Sequence, residues 1–330
     1  MRYKKLIIFG PWVGEFSYEL SWWNPECRKI RNEYLKDYYS VHLGFNGRYI
    51  AYKDFIDEYI PHPLELEKTL QFPATYGEHI NGQDIIPPIF MEYLNKVIMD
   101  FKDRGFTEIK VHKPKDVPIT RKRCLDDHPF GEYIHYDIDP NIEDNVVSDL
   151  KKYFKNKNTS VFLMARTRTR HGNTCYLDWN SDNWLVFTEK LITELGVNII
   201  SLSIKTQGSR GGSIGLANHS KLKYLKHKIM DFEMLNDDKD SLEKQFAILK
   251  NTKCSIYGAS GAAVVPFFVN TPTFTQQTTE EGFRLKLGWE RDLTDNLKNV
   301  KIFDKYHNNE IYDSPADELF DEFVKFYRKL

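Results

Sequence analysis

The feature that most constrains the fold of this 330-residue chain is an alternation of short apolar stretches with longer amphipathic ones. At the start of the chain this pattern predicts a buried strand over 3–9, a helix over about 15–36 and a second strand over 39–45. Two strands that are joined through a helix are normally parallel neighbours in one sheet. The sequence therefore predicts an α/β fold, with the turn at 10–16 at the carboxyl end of a central strand.

The alternation weakens near the middle of the chain and then starts again. The stretch Lys155-Asn156-Lys157-Asn158 has the composition of a linker, and a length of 330 residues suits two domains of about 150 residues each. We therefore predict two Rossmann-like domains, 1–155 and 156–330. The strands predicted for the second domain cover 160–165, 197–204, 228–234, 253–257, 271–275 and 299–304.

The charge balance argues against an obligate nucleic-acid partner. The chain has 46 basic and 47 acidic residues, which leaves a formal net charge of −1. A protein that holds a duplex through many phosphates is usually strongly basic. Nucleic acid is therefore not expected as an obligate partner, and a local basic patch remains the alternative.

The sequence lacks the features of several other classes of protein. There is no run of about 18 apolar residues, so stable membrane insertion is not expected. The apolar stretch in the first ten residues is too short for a secretory signal. The four cysteines are far apart and the histidines form no HxxxH pair, so no metal site is expected. The sequence also lacks the Gly-x-Gly-x-x-Gly and P-loop motifs, so no cofactor is expected. These features favour a cytoplasmic protein.

A turn of small residues follows the predicted strand 253–257. Its sequence, Gly258-Ala259-Ser260-Gly261-Ala262, leaves the backbone open and leads into an apolar helix. The amides of Gly261 and Ala262 would then point out from a helix N-terminus, where they and the helix dipole stabilise a phosphate. Ser260 is a further candidate for binding the ligand that carries this phosphate. The alternative is a tight turn whose small residues serve packing alone.

A basic loop follows the first strand of the predicted second domain. Arg166 and Arg168 alternate with threonines, so an extended chain places both guanidinium groups on one side. Guanidinium groups recognise diphosphate oxygens through paired hydrogen bonds. Together with Lys205, which follows the next strand, they are our candidates for binding a diphosphate, and a solvated basic loop is the alternative. Glu233, at the end of a later strand, is the candidate for holding ribose hydroxyls.

The turn after the first strand carries the candidate catalytic group. Glu15 follows Gly14 at the edge where open α/β sheets bind ligands, so its carboxylate is placed to remove a proton from an attacking hydroxyl. Glu19, one helical turn later, is the reserve candidate. Tyr18 and Trp22 are the candidate acceptor-binding residues, because aromatic faces pack against sugar rings. Alternatively, Glu15 is an ordinary first-turn acid of a helix, and Trp22 belongs to the core.

Two segments resemble the GT-B glycosyltransferases, with the heptosyltransferase-like members as the nearest comparison. The donor-site segment of that superfamily has a helix, a strand, a small-residue turn, a helix and a (Gly/Asn)-Thr-Pro strand, and 241–274 is similar to it. The turn Gly10-Pro-Trp-Val-Gly-Glu-Phe16 resembles the Gly-x-Gly-Asp turn of these enzymes. Two positions depart from the pattern: the heptosyltransferase histidine is Val264 here, and the acid before the turn is Ala259.

The resemblance implies two Rossmann-like domains that face a cleft, with the terminal helix 315–329 crossing back to the first domain. It implies a metal-independent hexosyl or related transferase that uses a nucleotide diphosphate-sugar as co-substrate. The donor would bind the second domain, and a glycan or other hydroxyl acceptor would bind the first. The resemblance also implies that Glu15 is the general base.

Three other functions remain open at this point. A nucleotide-sugar epimerase has the same architecture but would have more acids around its sugar. A nucleic-acid base glycosyltransferase would use Arg121-Lys122-Arg123 for phosphate contacts. The third is a carbohydrate- or nucleotide-binding protein without catalytic activity.

Overall fold

The chain divides into two compact units. The first comprises Met1–Ile134, Asn236–Ser241 and Leu285–Glu290, and the second comprises His135–Leu235, Leu242–Arg284 and Arg291–Leu330. The structure is a computed structural model, and it describes residues 4–14, 16, 19–70, 86–114, 134–155, 159–167, 169–170, 173–174, 179–203, 212–213, 215–233, 238–258, 261–276, 299–305 and 314–330.

The first unit is built on a four-stranded parallel sheet. Its strands are β1 (Lys4–Phe9), β2 (Tyr39–Gly44), β3 (Glu58–Pro61) and β4 (Phe106–His112), in the spatial order β3-β2-β1-β4. The strand β1 lies between β2 and β4 and is parallel to both. The predicted strand-helix-strand unit is therefore present, and β1 is an interior strand.

Helices cover this sheet because their apolar residues recur at helical spacing. In α3 (Pro88–Asp103), the side chains of Leu94, Val97 and Phe101 are buried against β1 and β2. The predicted helix over 15–36 is helical from residue 19 to residue 34, in a π-helical segment, a short α-helix and a second π-helical segment. These three segments and the remaining helices of the unit are Glu19–Trp23, α1 (Asn24–Lys29), Ile30–Tyr34, the 3₁₀ helix Tyr49–Ala51 and α2 (Leu64–Glu67).

The second unit is built on a six-stranded sheet whose order is β11-β9-β5-β12-β13-β14. All neighbouring strands in it are parallel. The chain runs from β5 outward to β9 and β11, and then returns to β12 beside β5 before it runs outward on the other side. The six strands are β5 (Ser160–Met164), β9 (Asn198–Ser203), β11 (Ile229–Glu233), β12 (Cys254–Tyr257), β13 (Thr273–Gln276) and β14 (Val300–Phe303).

Short strands and helices complete the second unit. The short strands are β6 (Arg166–Thr167), β7 (Thr169–Arg170), β8 (Asn173–Thr174) and β10 (Gly212–Ser213). The helices are α4 (Pro140–Tyr153), α5 (Ser181–Thr193), the 3₁₀ helix Ser220–Lys228, α6 (Ser241–Lys250), the 3₁₀ helix Gly261–Val269 and α7 (Ala316–Tyr327). In the parts of the chain that the structure describes, no helix has the length and apolarity that crossing a membrane requires.

Residues 135–155 belong to the second unit, whereas the sequence analysis assigned them to the first domain. Helix α4 is held there by polar contacts. Glu143 pairs with Lys250 at 2.8 Å, and the backbone N–H of Asp139 donates a hydrogen bond to Glu243 over 2.7 Å. These side chains are far apart in sequence, so a composition shift at 155–158 does not reveal the contact.

The terminal helix α7 packs in the core of the second unit, which differs from the crossing to the first domain that the resemblance implied. Its buried residues Leu319, Phe320 and Phe323 are part of the cluster that fills one face of the six-stranded sheet. The rings of Phe320 and Phe323 both meet the ring of Phe187 in α5 edge to face. The apolar face of α7 is therefore satisfied within its own unit.

A buried ion pair in the first unit gives a stability prediction. Arg28 is 1% exposed; its guanidinium bonds both carboxylate oxygens of Asp54, at 2.7 and 3.1 Å, and lies over the ring of Phe55. Asp54→Ala leaves this buried charge without its counter-ion. Because Asp54 is itself 35% exposed, we expect a loss of about 3 kcal/mol in the free energy of unfolding, the lower end for a broken buried pair.

Chemical denaturation of the two proteins measures this loss. Asp37→Ala is the control, because Asp37 also pairs with a cation, Lys5 at 3.0 Å, but is 69% exposed. Exposed pairs contribute little to stability, so this variant should unfold close to the wild-type midpoint. Equal losses for the two variants would show that burial of Arg28 is not the cause.

Candidate functional site

The second unit places two of the predicted donor-site segments side by side. The strands β5 and β12 are hydrogen-bonded neighbours, with Met164 opposite Tyr257 in the register. Arg166 therefore follows one strand, and Gly258 follows the next, at the same edge of the sheet. This is the point where the strand order reverses, and open α/β sheets bind ligands at the carboxyl ends of the strands at that point.

The backbone at Arg166 is extended. Arg166 and Thr167 form β6, which pairs antiparallel with Gly212 and Ser213 of β10. The chain then forms a second antiparallel pair, β7 with β8. Through the pairing of β10 with β6, the chain that follows β9 returns to the backbone of Arg166. The side chain of Arg166 is half-buried.

The helix after the small-residue turn begins at Gly261, as predicted, but it is a 3₁₀ helix rather than an α-helix. Val264 and Val265 are fully buried, and Pro266 lies inside the helix. The helix begins four residues after Tyr257, which ends β12, and its second residue, Ala262, is half-buried. Small residues at this place suit both a helix-terminus phosphate site and the packing alternative.

Glu233 ends β11, two strands away from β5. It is half-buried at the same edge of the sheet as Arg166. The structure thus places Arg166 and Gly258 just beyond two adjacent strand ends, and Glu233 further along the same edge. The predicted site residues that lie outside the described parts of the chain are Glu15, Tyr18, Arg168, Lys205 and Ser260.

In the first unit, the turn after β1 is tied to both neighbouring strands. The N–H of Gly10 donates to the carbonyl of His112 in β4, and the N–H of Trp12 donates to the carbonyl of Leu43 in β2, each over 2.9 Å. The indole of Trp12 then lies against Gly14, where an added Cβ would meet the ring at 2.6 Å. A side chain at position 14 would therefore displace the turn that immediately precedes Glu15.

Glu19, the reserve candidate for the base, is fully buried. It accepts hydrogen bonds from the hydroxyl of Tyr52 at 3.0 Å and from Arg48 at 3.3 Å. Burial raises the pKa of this carboxyl, while Arg48 and the Tyr52 hydroxyl oppose the rise. Each carboxylate oxygen of Glu19 therefore has a hydrogen-bond partner inside the unit, and Arg48 is its counter-ion.

Trp22, the candidate acceptor platform, is 4% exposed. Its location matches the alternative interpretation, in which it belongs to the core. The sequence analysis missed Arg48, which lies in the loop after β2. Its guanidinium contacts Phe16 and Glu19, which follow the turn after β1. No motif marks Arg48, because the contact depends on two strand ends meeting at one edge of the sheet.

Two buried histidines support the same edge of the first unit. His62 donates from Nε2 to the carbonyl of Trp12 over 2.8 Å, and His42 accepts a hydrogen bond at Nε2 from the indole of Trp23, also over 2.8 Å. Burial lowers the pKa of His62 to about 4 and lowers that of His42 well below its usual value. Both rings are therefore neutral at pH 7. Within the described residues, no group of three or more His, Cys, Asp or Glu side chains is arranged to hold a metal ion.

The buried histidines predict acid sensitivity. His62 takes up a proton near pH 6.5 in the unfolded chain but only near pH 4 in the folded one, so the folded state loses stability as the pH falls through this window. The shift corresponds to about 3 kcal/mol in total. His62→Gln should unfold with a shallower pH dependence between pH 7 and 4.5 in urea titrations. His227→Gln, at an exposed position, is the control, and equal slopes for all three proteins would contradict the assignment.

Solved structures of glycosyltransferases have the same fold as this chain. E. coli ADP-heptose lps heptosyltransferase II superposes with a TM-score of 0.55 at 11% identity, covering 98% of this chain and 99% of that one. A glycosyl transferase of family 9 from Veillonella parvula gives a TM-score of 0.57 at 9% identity, covering 100% and 99%. The E. coli heptosyltransferase WaaC with ADP gives 0.51 at 12% identity, covering 98% and 99%.

This likeness confirms the predicted fold. The chain has the two-domain α/β fold of GT-B glycosyltransferases, as the two resembling segments indicated. The sequence itself matches no family model and no curated protein. At identities near 10%, the structural likeness establishes the fold and leaves the activity to be argued from the site.

Proposed function

We propose that this protein is a glycosyltransferase that moves a sugar from a nucleotide diphosphate-sugar to an acceptor hydroxyl. The observation that carries the proposal is the pairing of β5 with β12 where the strand order of the second sheet reverses, which leaves Arg166 and Gly258 beyond neighbouring strand ends. A cation and a helix N-terminus at one strand edge suit a diphosphate. The names of the similar structures, with ADP and ADP-heptose among them, support this class of donor.

The second unit would stabilise the leaving group. As the bond between the sugar C1 and the β-phosphate oxygen breaks, the electron pair stays with the nucleoside diphosphate. Arg166, joined by Arg168 and Lys205, would neutralise the charge that develops there, so the proposal requires no metal ion. The amides of Gly261 and Ala262 and the hydroxyl of Ser260 would add hydrogen bonds.

The first unit would bind the acceptor and provide the general base. The acceptor oxygen forms the new bond to C1 and gives its proton to the carboxylate of Glu15, at the turn that Trp12 packs against through Gly14. Tyr18 remains our candidate for an acceptor contact, and Glu233 for the ribose hydroxyls. The widely spaced cysteines favour a cytoplasmic location for this reaction.

Nucleotide binding tests the donor site. In thermal-shift measurements with ADP, UDP, GDP, CMP and dTDP, and with their sugar conjugates, at least one nucleotide should raise the Tm. Ligand at 100 times its Kd adds about 2.7 kcal/mol of stability. If none of them shifts the Tm, the donor site is wrongly assigned.

Arg166→Ala should remove most of the shift produced by the nucleoside diphosphate and little of the shift produced by the nucleoside alone. Arg166 is expected to contact only the diphosphate, which the nucleoside lacks. Arg328→Ala, an exposed arginine at the end of α7, is the matched control and should behave as the wild type. Equal weakening of both ligands would argue against the role of Arg166.

Glu15→Gln tests the base. The variant should retain the nucleotide-induced Tm shift and lose at least about 100-fold in turnover, since removal of a general base costs this much or more. The assay follows release of nucleoside diphosphate from the sugar conjugate. Glu65→Gln, which changes an exposed acid on α2, is the control. Unchanged turnover in Glu15→Gln would leave a binding protein without catalysis as the better description.

A further inference from the structure

One arginine in the first unit contacts two residues of the segment that follows Glu15. The guanidinium of Arg48 lies 3.7 Å from the ring centroid of Phe16, the residue that directly follows Glu15. Its Nη1 is also 3.3 Å from Oε2 of Glu19. A single side chain from the loop after β2 therefore fixes two points of the segment that carries the proposed base.

We propose that Arg48 is a positioning residue, which holds Phe16 and Glu19 so that the carboxylate of Glu15 is directed at the acceptor hydroxyl. The inference rests on the proposed function, because it assigns Arg48 a role only if Glu15 is the base. Arg48 acts through its neighbours and is not assigned a contact with substrate.

The contacts of Arg48 are suited to orientation rather than to ligand binding. Its side chain is 18% exposed, and it has the ring of Phe16 at 3.7 Å and that of Phe45 at 5.9 Å. Its partner Glu19 is fully buried and anchored by the Tyr52 hydroxyl. A planar guanidinium fits between aromatic faces and an acid in a way that a lysine ammonium does not.

Two acids face Arg48, and they come from helical segments that follow different strands of the sheet. Glu19 follows β1, and Glu67 of α2 follows β3 and lies close enough to interact electrostatically with both Arg48 and Glu19. The backbone N–H of Asn46 donates to Glu67 over 3.1 Å, which closes the loop that carries Arg48. The hydroxyl of Tyr59 also interacts with Arg48. Loss of Arg48 would therefore leave two acids together without their shared cation.

Directional control of this kind has a large effect on rate. A displacement of about 1 Å in a catalytic group can cost about 100-fold in turnover without changing substrate affinity. A residue that only stabilises the fold gives no such separation between kcat and KM.

Arg104 provides a matched control within the same unit. It also lies over a phenylalanine ring, that of Phe101 at 4.1 Å, and pairs with an acid, Glu58 at 2.9 Å. It follows α3 and its carbonyl accepts a hydrogen bond from Lys4 at the start of β1, so it lies at the opposite edge of the sheet from the turn before Glu15. Arg104→Ala removes the same types of contact at a site remote from Glu15.

The experiment measures release of nucleoside diphosphate, with water as acceptor, from the nucleotide sugar that raises the Tm most. Arg48→Ala should lower kcat by about 100-fold and change the donor KM by less than about threefold, and Arg104→Ala should keep kcat within about threefold of the wild type. Arg48→Lys keeps the charge and should recover only a small part of kcat. It also serves as the test variant if Arg48→Ala does not fold.

Two further readouts separate positioning from a structural role. The acid limb of the pH profile of kcat/KM should move to higher pH in Arg48→Ala, because loss of a nearby cation raises the pKa of a carboxylate. In the Glu15→Gln background, Arg48→Ala should lower kcat by less than about threefold, since the two residues act as one unit.

The outcomes are distinguishable. Equal kcat losses in Arg48→Ala and Arg104→Ala, an unmoved acid limb, or additive losses in the double variant would overturn the positioning role while leaving the proposed function intact. A wild-type protein that binds no nucleotide and releases no diphosphate would instead refute the proposed function, and the inference with it.

Discussion

The candidate donor site depends on one interaction, the parallel pairing of β5 with β12. These strands are more than 85 residues apart in the chain, yet their hydrogen-bonded register sets Met164 opposite Tyr257. Arg166 and Gly258 follow from that register, because each continues the chain past the edge of the sheet. Without the reversal of strand order at β5, the segment that carries Arg166 and the turn that begins at Gly258 would not follow neighbouring strands. They could then not contribute to one ligand site.

The first unit contains charged side chains that are buried among aromatic rings. Arg28 and Glu19 are both buried, and each has a partner of opposite charge and a ring or hydroxyl beside it. A buried ion that is paired and hydrogen-bonded is tolerated, whereas an isolated one is costly. The same arrangement that satisfies Glu19 also fixes Arg48 and Phe16 next to the turn that carries Glu15.

Much of the fold could be predicted from local pattern. Each strand range predicted above agrees with the observed strand within one or two residues. Apolar alternation reports burial directly, so it locates strands well. It does not report which unit buries a helix. The assignment of α4 to the second unit, and the packing of α7 there, depend on contacts such as that between Glu143 and Lys250 and on the ring of Phe187.

The sequence by itself determined the α/β class, the two glycine turns and the arginine alternation, since each is a local pattern that backbone geometry makes recognisable. Only the tertiary structure decided that Arg166 and Gly258 follow neighbouring strands, that Glu19 and Trp22 lie inside the first unit, and that Arg48 reaches Phe16. These relations depend on pairings between segments that are distant in the chain. The free energy of such pairings comes from burial and hydrogen bonding in the assembled unit, and no local run of residues encodes it.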